Sequence, residues 1–395
     1  MLKLSDSAGK LVGQKMFQIL SKAQKLEQLG KPIIHLEIGD PDFETPKHIS
    51  EAAIQSIRSG NTHYTNSLGL LELRELARDV TKKSRFFRPD LDQILVTPGA
   101  NYQIYLALSC LVNKEDEVIV PNPSFVSYSS IINFIGAKAV HLPLKESNNF
   151  KINPDELEGL VTKKTKAIII NSPNNPTGSI LSKLEILRIY EIASKFNIAI
   201  ISDEIYSRML YEDSSISFYS PSMIDECKER TILINGFSKS YAMTGWRIGV
   251  LTAPNYLIEK MGLLLESTLS CVPAFTQHAA LEALKSDQEE ISGMVDEFRK
   301  RRDRIVFRLN KIKGFSCVVP HGAFYVFPNI TKTEMSSEAV AELLLEELGI
   351  ASCPGTIFGS EGEGFIRFCY ANSIANIEEA MDRLENHFGV KNETI

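Results

Sequence analysis

The sequence lacks an excess of basic residues and long hydrophobic runs, and both absences restrict what it could bind. Its 395 residues include 43 lysines and arginines against 49 aspartates and glutamates, a net charge of -6. This balance gives no positive field for nucleic acid or anionic lipid. No apolar run resembles a signal peptide or a membrane span. We therefore expect a cytoplasmic protein with no nucleic-acid partner and no membrane partner.

Closely spaced cysteine pairs and nucleotide-binding glycine motifs are also missing. The six cysteines are widely scattered, and no pair has the spacing of metal ligands. No glycine pattern matches a dinucleotide fingerprint or a phosphate-binding loop with its lysine. These absences predict reduced thiols and no metal site, and they disfavour an enzyme that uses a nicotinamide cofactor or ATP.

What the sequence does contain is an alternation of apolar runs with amphipathic helical patterns. Nearly continuous apolar runs of this kind are typical of parallel strands that are covered on both faces. The sequence predicts an α/β protein whose large domain, residues 46–286, holds a mainly parallel seven-stranded sheet between layers of helices. The predicted strands are residues 93–96, 117–120, 138–142, 166–170, 198–201, 231–234 and 247–251.

The two ends of the chain differ from this pattern and predict a second domain. Residues 287–313 form a long, charge-rich helical pattern, and shorter segments follow it. We expect residues 1–45 and 287–395 to form a small α+β domain with an amino-terminal arm. Its predicted helices are residues 12–29, 337–348 and 377–388, and its predicted strands are residues 33–38, 316–319, 324–327 and 365–370.

Unusual polar residues follow three of the predicted parallel strands. They are Asn175, the pair Asp203 and Tyr206, and Lys239. Taken singly, they fit a turn, a helix cap and a surface lysine. Because ligands collect at the carboxyl ends of parallel strands, an amide, an acid, a phenol and an amine at one sheet edge predict a binding site.

The segment around Lys239 suits a phosphorylated aldehyde. A lysine near apolar neighbours has a lowered pKa, which makes its amine a nucleophile toward carbonyls. Arg247, eight residues on, offers a fork of donors for phosphate. Gly99 and the free amides of Ala100 and Asn101 at a helix start could bind the same anion, although a plain glycine turn fits equally.

Two further residues have both a functional and a structural interpretation. Phe125 lies on a rigid loop after a strand and could stack on a planar ring, although core packing is the commoner role of phenylalanine. Arg367 is the only charge in a strand-like run and could hold a carboxylate or reach solvent from an edge strand.

Three motifs in one order give the chain a family resemblance. They are Asn175-Pro-Thr-Gly, Asp203-Glu-Ile-Tyr206, and Ser238-Lys-Ser-Tyr-Ala-Met-Thr-Gly-Trp-Arg247. From about residue 39 to residue 367, the chain resembles the fold type I pyridoxal-phosphate enzymes, and specifically the class I aminotransferases that include bacterial aspartate aminotransferases. The resemblance implies that fold and the cofactor pyridoxal 5'-phosphate.

The resemblance implies roles around the cofactor ring. Lys239 would bond to the cofactor aldehyde and later carry the proton of the substrate α-carbon, while Asp203 would pair with the pyridine nitrogen. Tyr206 and Asn175 would hydrogen-bond the phenolic oxygen, and Asn175 would also lie beside the substrate. Phe125 occupies the position of a stacked aromatic ring.

It likewise implies how phosphate and substrate are held. Arg247, Ser238 and the helix start at residues 99–101 would bind the phosphate. Arg367 would bind the substrate α-carboxylate, and Gly39 belongs to the loop that would cover it. From the residues alone, the loop at Gly39 could equally be a simple connector.

Tyr64 matches a tyrosine that these enzymes donate to the phosphate of the neighbouring subunit. The resemblance therefore implies a two-fold homodimer with shared active sites. Two positions depart from the pattern. Gly236 stands where many relatives have a phosphate-binding serine, and Asn101 stands where some dicarboxylate-specific relatives carry a lysine, which weakens an assignment to aspartate.

The function expected from these residues is a pyridoxal-phosphate-dependent aminotransferase. An L-amino acid, aspartate-like or other, would give its amino group to a 2-oxo acid such as 2-oxoglutarate by a ping-pong mechanism. The alternatives are a β-eliminating lyase on the same fold and a cofactor-sensing regulator. The chain leaves no room beside the catalytic domain for a DNA-binding module, which disfavours the regulator.

Overall fold

The computed structural model describes residues 2–9, 11, 13–211 and 217–391. The helices are α1 Asp6–Gly9, α2 Lys15–Gln28, α3 Lys47–Arg58, α4 Leu71–Arg85, α5 Ala100–Leu111, α6 Ser127–Phe134, α7 Pro154–Leu160, α8 Lys183–Phe196, α9 Ser222–Asp225, α10 Asn255–Leu269, α11 Ala274–Lys285, α12 Glu289–Leu309, α13 Ser337–Glu346 and α14 Ile374–Phe388. The strands are β1 Ile34–His35, β2 Ile94–Thr97, β3 Glu117–Asn122, β4 Lys138–Pro143, β5 Thr165–Asn171, β6 Ala199–Asp203, β7 Thr231–Gly236, β8 Gly249–Thr252, β9 Tyr325–Val326, β10 Ile350–Ala351, β11 Cys353–Pro354 and β12 Ile366–Cys369.

Seven of these strands form one sheet in the order β2-β8-β7-β6-β5-β3-β4. The pairs from β7 to β4 are parallel, whereas β8 runs antiparallel to both of its neighbours. The mainly parallel seven-stranded sheet predicted from the sequence is therefore confirmed. The last predicted strand begins at Gly249 rather than at residue 247, because Arg247 has a positive φ of 51° and belongs to the preceding turn.

Helices cover both faces of this sheet, as predicted. In β5, Ile168 and Ile170 face a core that includes Ile189 of α8, whereas Ile169 faces a core that includes Ile104 of α5. Successive side chains of a strand point to opposite faces, so an uninterrupted apolar run is needed when both faces are buried. The apolar run therefore supplies both cores at once.

The remaining strands form two smaller sheets. Strands β11, β12 and β9 make an antiparallel sheet, and β1 pairs in parallel with β10. The predicted helix at residues 12–29 is observed as α2 from Lys15, and Val12 lies outside the described residues. The strand predicted at residues 33–38 is shorter, because pairing with β10 involves only Ile34 and His35.

The strand predicted at residues 316–319 is wrong. In this segment Ser316 makes only an isolated bridge to Asn329. Pro320 follows directly, and proline lacks the N–H that would extend a ladder. Across the described parts of the chain, no helix is long and apolar enough to cross a membrane.

Candidate active site

A cavity of about 460 Å³ lies at the carboxyl edge of the large sheet. Its walls come from the ends of β5 and β6, the start of α5, the loop between β7 and β8, and strands β9 and β12 of the small sheet. Most residues predicted for the site line this one cavity. They are Gly39, Ala100, Asn101, Phe125, Asn175, Asp203, Tyr206, Ser238, Lys239, Arg247 and Arg367.

Lys239 follows β7 and carries the amine of the site. Its Nζ donates a hydrogen bond to the carbonyl oxygen of Gly39 at 2.5 Å and lies 5.8 Å from the centre of the Phe324 ring. The side chain touches the cavity but is otherwise enclosed by protein, and this burial lowers the pKa of Lys239 to about 8. A large fraction of the amine is therefore uncharged near pH 8.

Asp203 ends β6 and carries the carboxylate. Its Oδ2 accepts a 2.6 Å hydrogen bond from Tyr128 Oη, and its Oδ1 accepts one from the backbone N–H of Ile205 at 3.1 Å. Burial raises the pKa of Asp203 to about 6, and these two hydrogen bonds oppose the rise. At pH 7 the buried group is mostly ionised and can pair with a cation that enters the cavity.

Arg367 lies on β12 with its side chain fully buried. Its guanidinium is 4.7 Å from the ring centre of Tyr325 and 4.8 Å from that of Phe358. One terminal nitrogen donates to Asn175 Oδ1 at 3.2 Å, and the other donates to the carbonyl oxygen of Glu37. Its Nε has no hydrogen-bond partner within the described ranges. A carboxylate in the cavity could accept from this orphaned donor.

The start of α5 and Arg247 form a second anion-binding corner. Gly99 precedes the helix with a φ of 87°, so its backbone favours glycine. A Cβ at Gly99 would lie 2.7 Å from an Arg247 terminal nitrogen, and Gly99 therefore lets that guanidinium approach the helix start. Arg247 itself donates to the carbonyl of Thr244 at 2.9 Å. A phosphate suits such a helix start.

Tyr64 was predicted for the site, but within one chain it lies away from the cavity that holds Lys239. Its side chain is 87% exposed and borders a different cavity, beside His63 and His278. Within one chain, Tyr64 therefore contributes nothing to the cavity that holds Lys239.

Several residues of the cavity were missed by sequence reasoning. Tyr128 lies on α6 and donates to Asp203 Oδ2, a contact between residues 75 positions apart in the chain. Tyr325 lies in an apolar run that was predicted only as a strand, yet its Oη is 2.7 Å from Tyr206 Oη. The amino-terminal arm also lines the cavity, and Gln14 anchors it by donating to Ser127 Oγ at 2.9 Å.

Comparison with known proteins gives the family of the chain. Residues 31–384 match the family model described as aminotransferase class I and II. The chain is 40% identical to the aromatic-amino-acid aminotransferase 2 of Thermococcus litoralis, over 97% of this chain and 98% of that protein. It is 43% identical to an aspartate aminotransferase of Pyrococcus abyssi, over 90% and 91% of the two chains.

A solved structure agrees with these relatives. The crystal structure of the aspartate aminotransferase from Rhizobium meliloti superposes with a TM-score of 0.94 at 30% identity, covering 99% of this chain and all of that one. The fold expected from the resemblance is thus confirmed, and so are its cofactor and reaction type. The chain belongs to the class I and II aminotransferases and is a pyridoxal-phosphate-dependent transaminase.

Proposed function

We propose that the cavity containing Lys239 is the active site, and that it transfers the amino group of an L-amino acid to a 2-oxo acid such as 2-oxoglutarate in a ping-pong cycle. One observation carries this proposal. An amine, a carboxylate and a guanidinium, from Lys239, Asp203 and Arg367, converge on a cavity of about 460 Å³. An isolated buried charge is costly, so three such groups around one cavity favour a polar ligand over a structural role.

The residues of the cavity fit pyridoxal phosphate. The helix start at residues 99–101, Arg247 and Ser238 would hold the phosphate, and Asp203 would pair with the protonated pyridine nitrogen. Tyr206 and Asn175 would bind the phenolic oxygen. The fit is supported by the approach of Arg247 to Gly99 and by the burial of the Asp203 carboxylate. The ring of Phe125 lines the same cavity and would stack on the pyridine.

Lys239 is the proposed base of the reaction. When bound, pyridoxal phosphate supplies an aldehyde carbon that bonds to an amine and a ring that withdraws electrons from the substrate α-carbon. Lys239 Nζ would remove and return the α-carbon proton, a task for which a pKa of about 8 is suited near neutral pH. Asp203 would keep the proton on the pyridine nitrogen.

Arg367 is the proposed carboxylate anchor. Its Nε has no partner among the described residues, while Asn175 and the Glu37 carbonyl fix the orientation of the guanidinium plane. Because every L-amino acid carries the α-carboxylate, this contact would orient the α-carbon without selecting a side chain. Selectivity would come from other residues of the cavity wall, including Asn101 and Phe17 of the arm.

We also propose the assembly and the domain division expected from the sequence. A two-fold homodimer would bring Tyr64 to the partner subunit's cofactor phosphate, and the 87% exposure of Tyr64 supports such a role. The division into residues 46–286 and residues 1–45 with 287–395 is supported by the large sheet, all of whose strands fall in the first range. A cytoplasmic location stays a prediction.

Absorbance spectroscopy of the purified protein tests the proposed reaction. The protein loaded with pyridoxal phosphate is titrated with single acidic, apolar and aromatic L-amino acids in the absence of any oxo acid. Bleaching of the visible band by at least one donor, and its return on adding 2-oxoglutarate, is the expected result. A loaded protein that no amino acid bleaches would refute it.

Replacing Lys239 by alanine assigns the reaction to this cavity. The variant should lose turnover, because Lys239 is the only lysine among the described residues that line the cavity. Lys195→Ala serves as the matched control, since Lys195 is an exposed lysine paired with Glu158 on the surface. Activity like that of the wild type in the Lys239→Ala variant would contradict the assignment.

A further inference from the structure

Tyr325 touches three residues that have separate proposed roles. Its Oη lies 2.7 Å from Tyr206 Oη, and its ring faces the Arg367 guanidinium at 4.7 Å. A Cβ at Gly39 would lie only 1.9 Å from Tyr325 Oη, so the hydroxyl is also packed against the Gly39 backbone. The side chain is fully buried on β9 and lines the active-site cavity.

The two phenols can form a directed pair of hydrogen bonds. Burial raises the pKa of both Tyr206 and Tyr325, so each carries its proton at neutral pH. A phenol has one proton to donate and can accept on the same oxygen. If Tyr206 donates to the cofactor's phenolic oxygen, the proton shared between the two tyrosines must come from Tyr325. Accepting this bond polarises Tyr206 and makes it a stronger donor.

The ring of Tyr325 acts on a different group. The guanidinium of Arg367 lies 4.7 Å from the ring centre of Tyr325 and 4.8 Å from that of Phe358, and the side chain is fully buried at the cavity wall. A cation over an aromatic face is stabilised and is also restricted in orientation. The hydroxyl of Tyr325 therefore contacts Tyr206, the phenol that would face the cofactor. The ring of Tyr325 contacts Arg367, the guanidinium that would face the substrate.

We propose that Tyr325 is a positioning residue of the transamination reaction: its hydroxyl orients and polarises Tyr206, and its ring holds the guanidinium of Arg367. This inference rests on the proposed function of the cavity. It predicts that the two effects can be separated, because Tyr325→Phe removes the hydroxyl and keeps the ring, whereas Tyr325→Leu removes both.

The pH dependence of the bound cofactor's absorbance tests the role of the hydroxyl. A donor to the cofactor's phenolic oxygen stabilises negative charge there and lowers the pH at which the bound cofactor loses its proton. Tyr206→Phe should therefore raise the midpoint of the absorbance change. Tyr325→Phe should raise it less, by about half a pH unit. In the double variant, Tyr325→Phe should add no further shift, because the bond it supports is already gone.

Steady-state kinetics test the role of the ring. Tyr325→Phe should leave the KM for the amino acid unchanged, since Arg367 keeps its aromatic neighbour. Tyr325→Leu should raise that KM by about tenfold relative to Tyr325→Phe. Tyr370→Phe is the matched control, since Tyr370 pairs with Tyr211 in an equally buried hydroxyl contact away from the cavity. It should lower the stability but leave the midpoint and KM unchanged.

Three outcomes would overturn the inference. The first is a Tyr325→Phe midpoint equal to that of the wild type, the second is a shift that adds fully to that of Tyr206→Phe, and the third is equal KM values for the two Tyr325 variants. These outcomes are distinct from failure of the proposed function, in which the wild type would give no cofactor band that amino acids bleach.

Discussion

Replacing Arg367 by glutamine should weaken the use of every amino acid by a similar factor. An arginine–carboxylate contact consists of charge-assisted hydrogen bonds worth about 1.5–3 kcal/mol each. Losing such a contact should lower kcat/KM by about two to three orders of magnitude. The carbonyl of Glu37 and the amide oxygen of Asn175 also lose their donors. The protein should therefore be destabilised by about 1–3 kcal/mol.

The assay compares kcat/KM for an acidic, an apolar and an aromatic L-amino acid in the wild type and the variant. Arg308→Gln is the control, because Arg308 is a similarly buried arginine that pairs with Glu378, Asp382 and Glu385 outside the cavity. It should reduce the melting temperature without changing KM. A loss confined to one amino acid in the Arg367 variant, or an equal loss in the control, would refute the reasoning.

Two further predictions concern the segment that leads to the cavity. Gly39→Ala should lower kcat/KM by about tenfold or more, because a Cβ 1.9 Å from Tyr325 Oη must move by over 1 Å. Adding Tyr325→Phe should recover part of the loss, since the nearest atom then lies at 2.8 Å; wild-type rates in Gly39→Ala would contradict this. Hydrogen bonding to Glu37 raises the pKa of His35 to about 9, above its usual 6.5. The stabilisation from this pair is therefore complete below about pH 6.5 and disappears as pH rises through about 9, a loss of about 1 kcal/mol after solvent screening. Urea unfolding from pH 6 to 10 should reveal it in the wild type and not in His35→Gln, and identical pH profiles would disprove it.

The large sheet could be predicted because its strands are buried on both faces. An apolar run such as Ile168, Ile169 and Ile170 must supply two cores, and few other structures require so dense a pattern. The same reasoning placed the start of β8 too early. Arg247 belongs to a turn with a positive φ, but Ile248 beside it is apolar, so the pattern did not mark where the turn ends and the strand begins. Short strands such as β9 have only two residues and carry too little pattern to define their ends.

The site residues that could be predicted are those that directly follow parallel strands. Lys239 and Asp203 come directly after parallel strands, and the carboxyl ends of such strands meet at one edge. The two tyrosines that were missed depend on pairing across the chain. Tyr128 bonds to a carboxylate 75 residues away, and Tyr325 bonds to a hydroxyl 119 residues away. No local spacing contains that information.

The antiparallel strand β8 has a consequence for how the enzyme could be modified. Because β7 and β8 pair side by side with Gly236 opposite Gly249, the loop between them is fastened at both ends to one sheet. That loop carries Lys239 and Arg247, whereas Arg367 belongs to the three-stranded sheet of β11, β12 and β9. By the proposed assignment, the residues that bind the cofactor and the arginine that binds the substrate carboxylate are thus held by different sheets. Substitutions at Arg367 on β12 would therefore change how the substrate carboxylate is held while the loop that holds the cofactor stays fastened to the large sheet, and donor preference would be altered instead at Asn101 and Phe17.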